Sequence, residues 1–405
     1  MMHSDVIVLG GGLVGLTLAV ALDAHGLTSV VVDPADPAAF LAPGHDARAS
    51  AIASASWAML GAIGVTPSLD GEGCAIRAIR VADGLAPGGL CFEPRDERPL
   101  GTMVPNRVLR RVLHAVAAAA PGVTLEMPAR PVASERDAAG ARVTLADGRV
   151  FSAPLLAVAE GRNSPTRDRA GIRVARWRYD HAGIIATIGH DRPHDATAYE
   201  IFYPSGPFAI LPLRDGDDGG HRSAIVWSVA AEDGPAVAGL PDRAFAAELV
   251  KRMGGLLGDV RLDGPRATYP LGFHHAGRIT DRRLALVGDA AHGIHPIAGQ
   301  GLNLGFRDVA ALVEVLVEGS RLGMDLGDAQ LLARYQRWRS LDTLMVAGAT
   351  DGLTRLFGIP GKLPSAVRRL GLSTVGRIAP LRDFFMAEAR GESGELPVLL
   401  RGARV

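Results

Sequence analysis

Residues 6–22 read VIVLGGGLVGLTLAVAL, and their glycines restrict the fold more than any other stretch of the chain. Gly10, Gly12 and Gly15 form G-x-G-x-x-G between an apolar run at 6–9 and a second apolar run at 13–24. The first glycine permits a tight turn, the second lets backbone approach a pyrophosphate, and the third lets a helix pack closely on a strand. The spacing predicts a strand over 6–9, a glycine turn, a helix over 13–24 whose first residues Leu13 and Val14 meet the cofactor, and a strand over 30–32. That order is a βαβ unit, and it predicts a parallel sheet with free N–H donors at the helix start. Asp33 closes the second strand 18 residues after Gly15, where a carboxylate accepts hydrogen bonds from an adenosine ribose and repels a 2′-phosphate. The unit predicts an adenine dinucleotide and leaves FAD and NAD both open. The same run is apolar enough to be weighed as an export signal or membrane anchor. No basic residue precedes it and its glycines fall where a βα turn wants them, so it reads as a nucleotide-binding turn.

The 405 residues allow two domains, or one large domain with insertions. Lysine plus arginine equals aspartate plus glutamate at 43 each, so no global field recruits nucleic acid, and any membrane or anion affinity is local. Cys74 and Cys91 are the only cysteines, too few for a disulfide scaffold, and they read as reduced thiols of a cytosolic protein. Residues 74–93 read as paired short strands about a GLAPGG turn, and Leu109, Val112, Leu113 and Val116 mark a helix over 106–119. A β-rich block runs from 174 to about 269, with DGDDGG at 215–220 as a turn between two of its strands. After residue 329 the chain reads as helical. The expected architecture is a Rossmann-like α/β domain with an inserted, mainly antiparallel β-sheet domain and a C-terminal helical region. The pieces are 1–74, 100–173 and 272–330 for the nucleotide domain, 75–99 and 174–271 for the substrate domain, and 331–405 for the helical region.

A second glycine segment, LALVGDAAHGIHPIAGQGLNLGFRDVAAL, spans 284–312. An apolar strand ends at Gly288-Asp289, which places Asp289 to accept from a hydroxyl further along the same cofactor. PIAGQGLN at 296–303 then precedes a helix, so its N–H groups suit an electron-rich ring edge such as the N1–C2=O side of a flavin, which gains negative charge on reduction. His292 and His295 have no acid or cysteine near them to complete a metal site; they read as structural histidines, and no metal is expected.

With these motifs the sequence resembles the group A flavin-dependent aromatic hydroxylases, and among them the ubiquinone-biosynthesis hydroxylases. The likeness covers nearly the whole chain. It is carried by VLGGGLVGL at the start, DARASAIASAS from Asp46, VPNRVLRRVL from Val104, AEGRNSPTR from Ala159, GPFAILPL from Gly206, YPL at 269–271, the block GDAAHGIHPIAGQGLNLGFRD, and RYQRWRSLD from Arg334. The resemblance implies FAD as cofactor, NAD(P)H as reductant, and ring hydroxylation by O₂ through a C4a-hydroperoxyflavin. It puts Arg48 near the pyrophosphate, Asn106 beside the cofactor, Asp289 on the ribityl or pyrophosphate part, Pro296 along the ring, and the backbone of Gly299, Gly301, Leu302 and Asn303 at the isoalloxazine. Two positions depart from the pattern. Asp33 stands where a glutamate is usual, which predicts a longer or water-bridged ribose contact. Glu160, before Gly161, stands in the usual Asp-Gly pair that precedes Arg162–Arg167, a motif that the resemblance associates with both FAD and NAD(P)H. The hard chemistry belongs to the flavin, so no Ser-His-Asp or metal constellation is needed, and the sequence names no catalytic base.

The stretch 198–213, read as one strand, is the expected substrate wall, with Phe202, Phe208 and Ile210 of one parity facing an aromatic ring that bears a prenyl tail. Their packing in the sheet core is the alternative. Residues 363–386 alternate Val367, Leu370, Val375, Ile378 and Leu381 with Arg368, Arg369, Arg377 and Arg382, a pattern for an anionic membrane surface or for packing on the protein itself, with Pro380 interrupting it. The expected setting is cytoplasmic, with peripheral contact at the inner membrane or a ubiquinone-biosynthesis complex. The leading function is hydroxylation of a polyprenylated phenol. Hydroxylation of a soluble aromatic acid, with Arg214 or Arg222 on its carboxylate, and a non-catalytic FAD-bound scaffold are the alternatives.

Overall fold

Strands buried on both faces read as unbroken apolar runs, and Val6–Leu9, Ser29–Val32 and Leu155–Val158 are buried at every residue. In the computed structural model, which describes residues 2–42, 48–85, 89–94, 96–293, 300–340 and 378–405, they form the centre of a six-stranded sheet. Its order is Thr280–Asp281, Leu284–Leu286, Leu155–Val158, Val6–Leu9, Ser29–Val32, Val123–Glu126, and every pairing but the first is parallel. The apolar helix Leu13–Asp23 lies against helices Asn106–Ala119 and Gln300–Arg321. Its composition reflects burial inside the protein, with Leu16, Leu18, Ala19, Ala21 and Leu22 fully enclosed. No helix among the described residues is long and apolar enough to cross a membrane.

A long second sheet runs in the order His292–Gly293, Ala267–Ala276, Val174–His190, His221–Ala230, Gly206–Pro212, Thr197–Tyr203, Ala78–Asp83, Leu90–Phe92. It is antiparallel except where Thr197–Tyr203 meets Ala78–Asp83. One of its strands runs on to Ala276, past the expected boundary at 271, and pairs there with His292–Gly293, so this sheet is stitched to the second glycine segment. A small sheet of Ala49–Ala53, Gly101–Pro105 and Cys74–Ile76 bridges the two large ones.

The stretch 198–213 is a hairpin rather than one strand, with Thr197–Tyr203 and Gly206–Pro212 joined at 204–205. Pro204 has no N–H for the ladder, and Gly206 sits at φ +120°, which other residues rarely adopt. The turn breaks the parity expected of Phe202, Phe208 and Ile210. Phe208 lies opposite Ile201 and Ile210 opposite Tyr199, whereas Phe202 lies opposite Pro207 on the other face. Phe208 and Ile210 belong to a core with Ile184, Trp227, Phe245 and Leu249 under helix Asp242–Met253. Phe208 and Ile210 are core residues, as the alternative reading expected, and the three do not form one shared wall because Phe202 lies on the other face.

The C-terminal pieces enter the nucleotide core. Leu331, Leu332 and Tyr335 from the helical stretch at 329–340, and Leu399 and Leu400, share one cluster with the six-stranded sheet. Pro380 does not interrupt a helix: it sits in the first turn of helix Ala379–Arg390, where a missing N–H costs nothing. Asp46, His295, Pro296, Gly299 and most of the basic amphipathic stretch at 363–386 lie outside the described residues.

Candidate active site

The three loop glycines differ in what a side chain would meet. A Cβ on Gly15 would stand 1.9 Å from the Gly10 carbonyl oxygen, and one on Gly10, at φ +107°, would stand 2.4 Å from the Ala159 carbonyl oxygen. These two glycines hold the helix against the sheet. A Cβ on Gly12 meets nothing within 4 Å, so the loop is open where a pyrophosphate approaches backbone. The Asp33 carboxylate accepts from the N–H of Gly11 at 2.6 Å and of Ala35 at 2.7 Å, which fixes it at the loop mouth. Val14 joins this loop to the second glycine segment: methyl carbons of its side chain would lie 3.1 Å from a Cβ on Gly288 and 2.7 Å from one on Gly305.

The second segment is held by residues to which the sequence assigned no role. Gly288 turns at φ +60°, and its N–H donates to Asp308 Oδ2 at 2.9 Å. Asp308 is fully buried and also meets His292 Nε2 and Arg339 Nε, each at 2.7 Å. Burial alone would raise the Asp308 carboxyl, but the neighbouring His292 and Arg339 hold it below its usual value. From the same helical stretch Tyr335 donates to the Leu286 carbonyl at 2.8 Å, and Gln336 Oε1 accepts from Ile279 and Thr280. RYQRWR is therefore a clamp on the strand that ends at Gly288-Asp289. Asp289 is exposed between buried neighbours, and no described residue bonds to its carboxylate. Its carbonyl oxygen accepts from His274 Nε2 at 2.7 Å, and burial lowers the pKa of that histidine and keeps it neutral.

Helix Gln300–Arg321 begins at the expected ring end, and Gly301, Leu302 and Asn303 lie in its first turn, where N–H groups have no partner within a helix. The Asn303 side chain is spent on the bridging sheet: Oδ1 accepts from Ala53 N–H and Nδ2 donates to the Ala51 carbonyl, both at 2.9 Å. It completes the open edge of strand Ala49–Ala53 as a neighbouring strand would. Asn303→Ala is expected to cost about 1–2 kcal/mol, read as a lower urea midpoint, with a weaker hold on flavin. Asn106 accepts from Ser50 Oγ at 2.6 Å, and its N–H donates to the Arg48 carbonyl at 2.9 Å, which places Arg48 and Asn106 together at the end of that sheet. The Glu160 carboxylate is committed to its own loop. It accepts from Ser164 Oγ, Thr166 N–H and Thr166 Oγ1 at 2.6–3.0 Å and ties down the start of helix Pro165–Arg169. Only the backbone at Glu160 and Gly161 is left to meet a cofactor. Buried Arg167 donates to the carbonyls of Arg162 and Ala290 and locks this loop to the second glycine segment.

The two glycine segments, the bridging sheet and the start of helix Gln300–Arg321 thus form one continuous cradle: open backbone at Gly12, a carboxylate at each of Asp33 and Asp289, and helix N–H groups at the far end. That donor set, unhindered backbone at Gly12, the Asp33 and Asp289 carboxylates and the N–H groups of 301–303, has the chemistry FAD requires.

A family profile described as FAD binding domain matches residues 3–343. The chain is 45% identical to ubiquinone hydroxylase UbiL of Rhodospirillum rubrum, over 98% of this chain and 93% of that protein. It is 34% identical to 3-demethoxyubiquinol 3-hydroxylase of Escherichia coli, over 96% of this chain and 98% of that protein. Among solved structures, p-nitrophenol 4-monooxygenase PnpA of Pseudomonas putida superposes with a TM-score of 0.79 at 17% identity, covering 98% of this chain and all of that one (100%). PqsL of Pseudomonas aeruginosa in complex with 2-aminobenzoylacetate superposes with a TM-score of 0.77 at 23% identity, covering 93% and 100%.

Proposed function

The chain belongs to the FAD binding domain family and, within it, to the FAD-dependent hydroxylases of ubiquinone biosynthesis, and from that premise we propose that it hydroxylates the ring of a polyprenylated phenol, with NAD(P)H as reductant and O₂ as oxygen donor. Bound FAD supplies the redox chemistry with O₂. The residues of the chain bind the cofactor, orient its ring and shape a dry substrate space.

The observation that carries the substrate class is the face of the long sheet turned away from helix Asp242–Met253. It carries an apolar patch, in which Ala198, Leu211 and Ala224 cluster with Ala51 and Met103 of the bridging sheet, whose edge Asn303 holds. A prenylated ring lying on this face reaches the ring end of the cradle. An aromatic acid would need a cation there. Arg214 and Arg222 are instead paired with Asp217 and Asp263 at the sheet's rim. The same reading brings the protein to a membrane surface, where a polyprenyl chain resides. Exposed Ile378, Leu381 and Phe384 at the start of helix Ala379–Arg390 offer the apolar contact, and co-flotation with anionic vesicles tests it. In a strain lacking this gene, mass spectrometry is expected to show an under-hydroxylated prenylphenol that disappears on restoration. An unchanged quinone profile would overturn the reading.

A further inference from the structure

The two faces of the long sheet are packed differently. On the helix-covered face Ile184, Ile188, Phe208, Ile210, Ile225 and Trp227 are all at most 2% exposed. On the other face Ile185, Leu211 and Val226 retain intermediate accessibility. The register sets Glu200 on this second face, opposite Ala209 on one neighbouring strand and Val81 on the other. It is a carboxylate in mid-strand on an apolar wall, and no described residue hydrogen-bonds to it or pairs with it. Glutamate is disfavoured in a sheet interior, and an unpartnered buried carboxylate costs free energy that a purely structural role does not recover. The side chain keeps partial accessibility although the surrounding protein desolvates it enough to push its carboxyl up to about 7. Glu200 thus sits in mid-strand, partly accessible and without a partner among the described residues, on the face that helix Asp242–Met253 does not cover. Asp83 and Tyr269 share the face and Cys74 lies in the cluster beside it, yet burial is the only cause of the shift.

We propose that Glu200 is the group that receives the ring hydroxyl of the phenol substrate, fixing the ring against the cofactor and taking its proton as the ring is oxygenated. The O–H proton passes to a Glu200 carboxylate oxygen, and the electron pair stays on the phenol oxygen, where it raises electron density at the ring carbons. The assignment rests on the proposed hydroxylase function. A carboxylate at this position also repels a substrate carboxylate.

The test uses the FAD-loaded enzyme and 2-geranylphenol in detergent, with binding read from the phenol-to-phenolate ultraviolet difference spectrum as a function of pH. Wild type is expected to bind more tightly as pH rises through about 7. Glu200→Gln is expected to bind about 10- to 100-fold more weakly, the loss of one charged hydrogen bond, with no midpoint in that range and with normal flavin content. Glu200→Asp, which keeps the charge on a shorter stem, is expected to keep a midpoint with weakened binding. Melting supplies a readout apart from activity. The folded pKa of Glu200 is raised, so wild type loses stability relative to Glu200→Gln as pH climbs above the ordinary carboxylate range. If Glu200→Gln, or Glu200→Asp should the first fail to fold, keeps wild-type affinity and pH profile, the assignment of Glu200 is overturned and the hydroxylase reading stands. A wild-type enzyme that binds no 2-geranylphenol overturns both.

Discussion

Asp308→Ala is expected to destabilise the protein by roughly 3–5 kcal/mol, because it takes a buried carboxylate away from two buried side chains that bond to it. Three donors converge on that one carboxylate: His292, Arg339 and the Gly288 N–H, at 2.7, 2.7 and 2.9 Å. Removing it takes the carboxylate away from the buried Arg339 guanidinium and frees the turn that presents Asp289. The loss is expected as a lower urea midpoint together with easier release of flavin, followed by the rise in its fluorescence. Asp308→Asn keeps an acceptor for Gly288 but not the charge, and should fall between. The effect is fully present at neutral pH. The folded pKa of Asp308 is depressed, so its contribution exists above the unfolded carboxylate value of about 4 and is lost only as pH falls through the still lower folded value. Equal melting of Asp308→Ala and wild type at pH 7 would refute the clamp.

Gly12→Ala is the sharper test of the cradle, because it separates fold from cofactor. Nothing lies within 4 Å of the place its methyl would take, so apo stability is expected to change by less than about 1 kcal/mol, the ordinary cost or gain of a glycine-to-alanine change in a permitted conformation. The same methyl occupies the approach to the pyrophosphate, and FAD affinity is expected to fall by about 100-fold or more, the cost of losing close backbone contact with a charged group. Gly15→Ala should differ in kind. Its Cβ would stand 1.9 Å from a backbone oxygen, so apo folding itself is expected to suffer. Normal flavin content in purified Gly12→Ala would show that the loop does not receive the phosphates.

How much of this was legible in the sequence varied with the range of the interaction. The glycine loop, helix Leu13–Asp23 and strand Ser29–Val32 follow from period and turn chemistry within about 30 residues. Helix Asn106–Ala119 was readable to the residue for the same reason. The hairpin at 204–205 was missed, although Pro204, Ser205 and Gly206 carried its signal. Number parity survives only along one strand, and the turn reverses the face.

The sequence by itself determined that there is a nucleotide-binding βαβ unit and a second glycine segment between strand and helix, both written in local spacing, and its contiguous motifs carried the family resemblance that implies FAD-dependent hydroxylation. Tertiary structure alone decided what holds the site. Asp308 and Arg339 are 31 residues apart, and Asn303 reaches Ala51 across 252. Pairings at that distance leave no period in the sequence, since they depend on how sheets and helices pack. The same holds for the substrate wall. Whether Phe208 or Glu200 lies under helix Asp242–Met253 is set by strand register and by which face that helix covers, and both are properties of the assembled sheet.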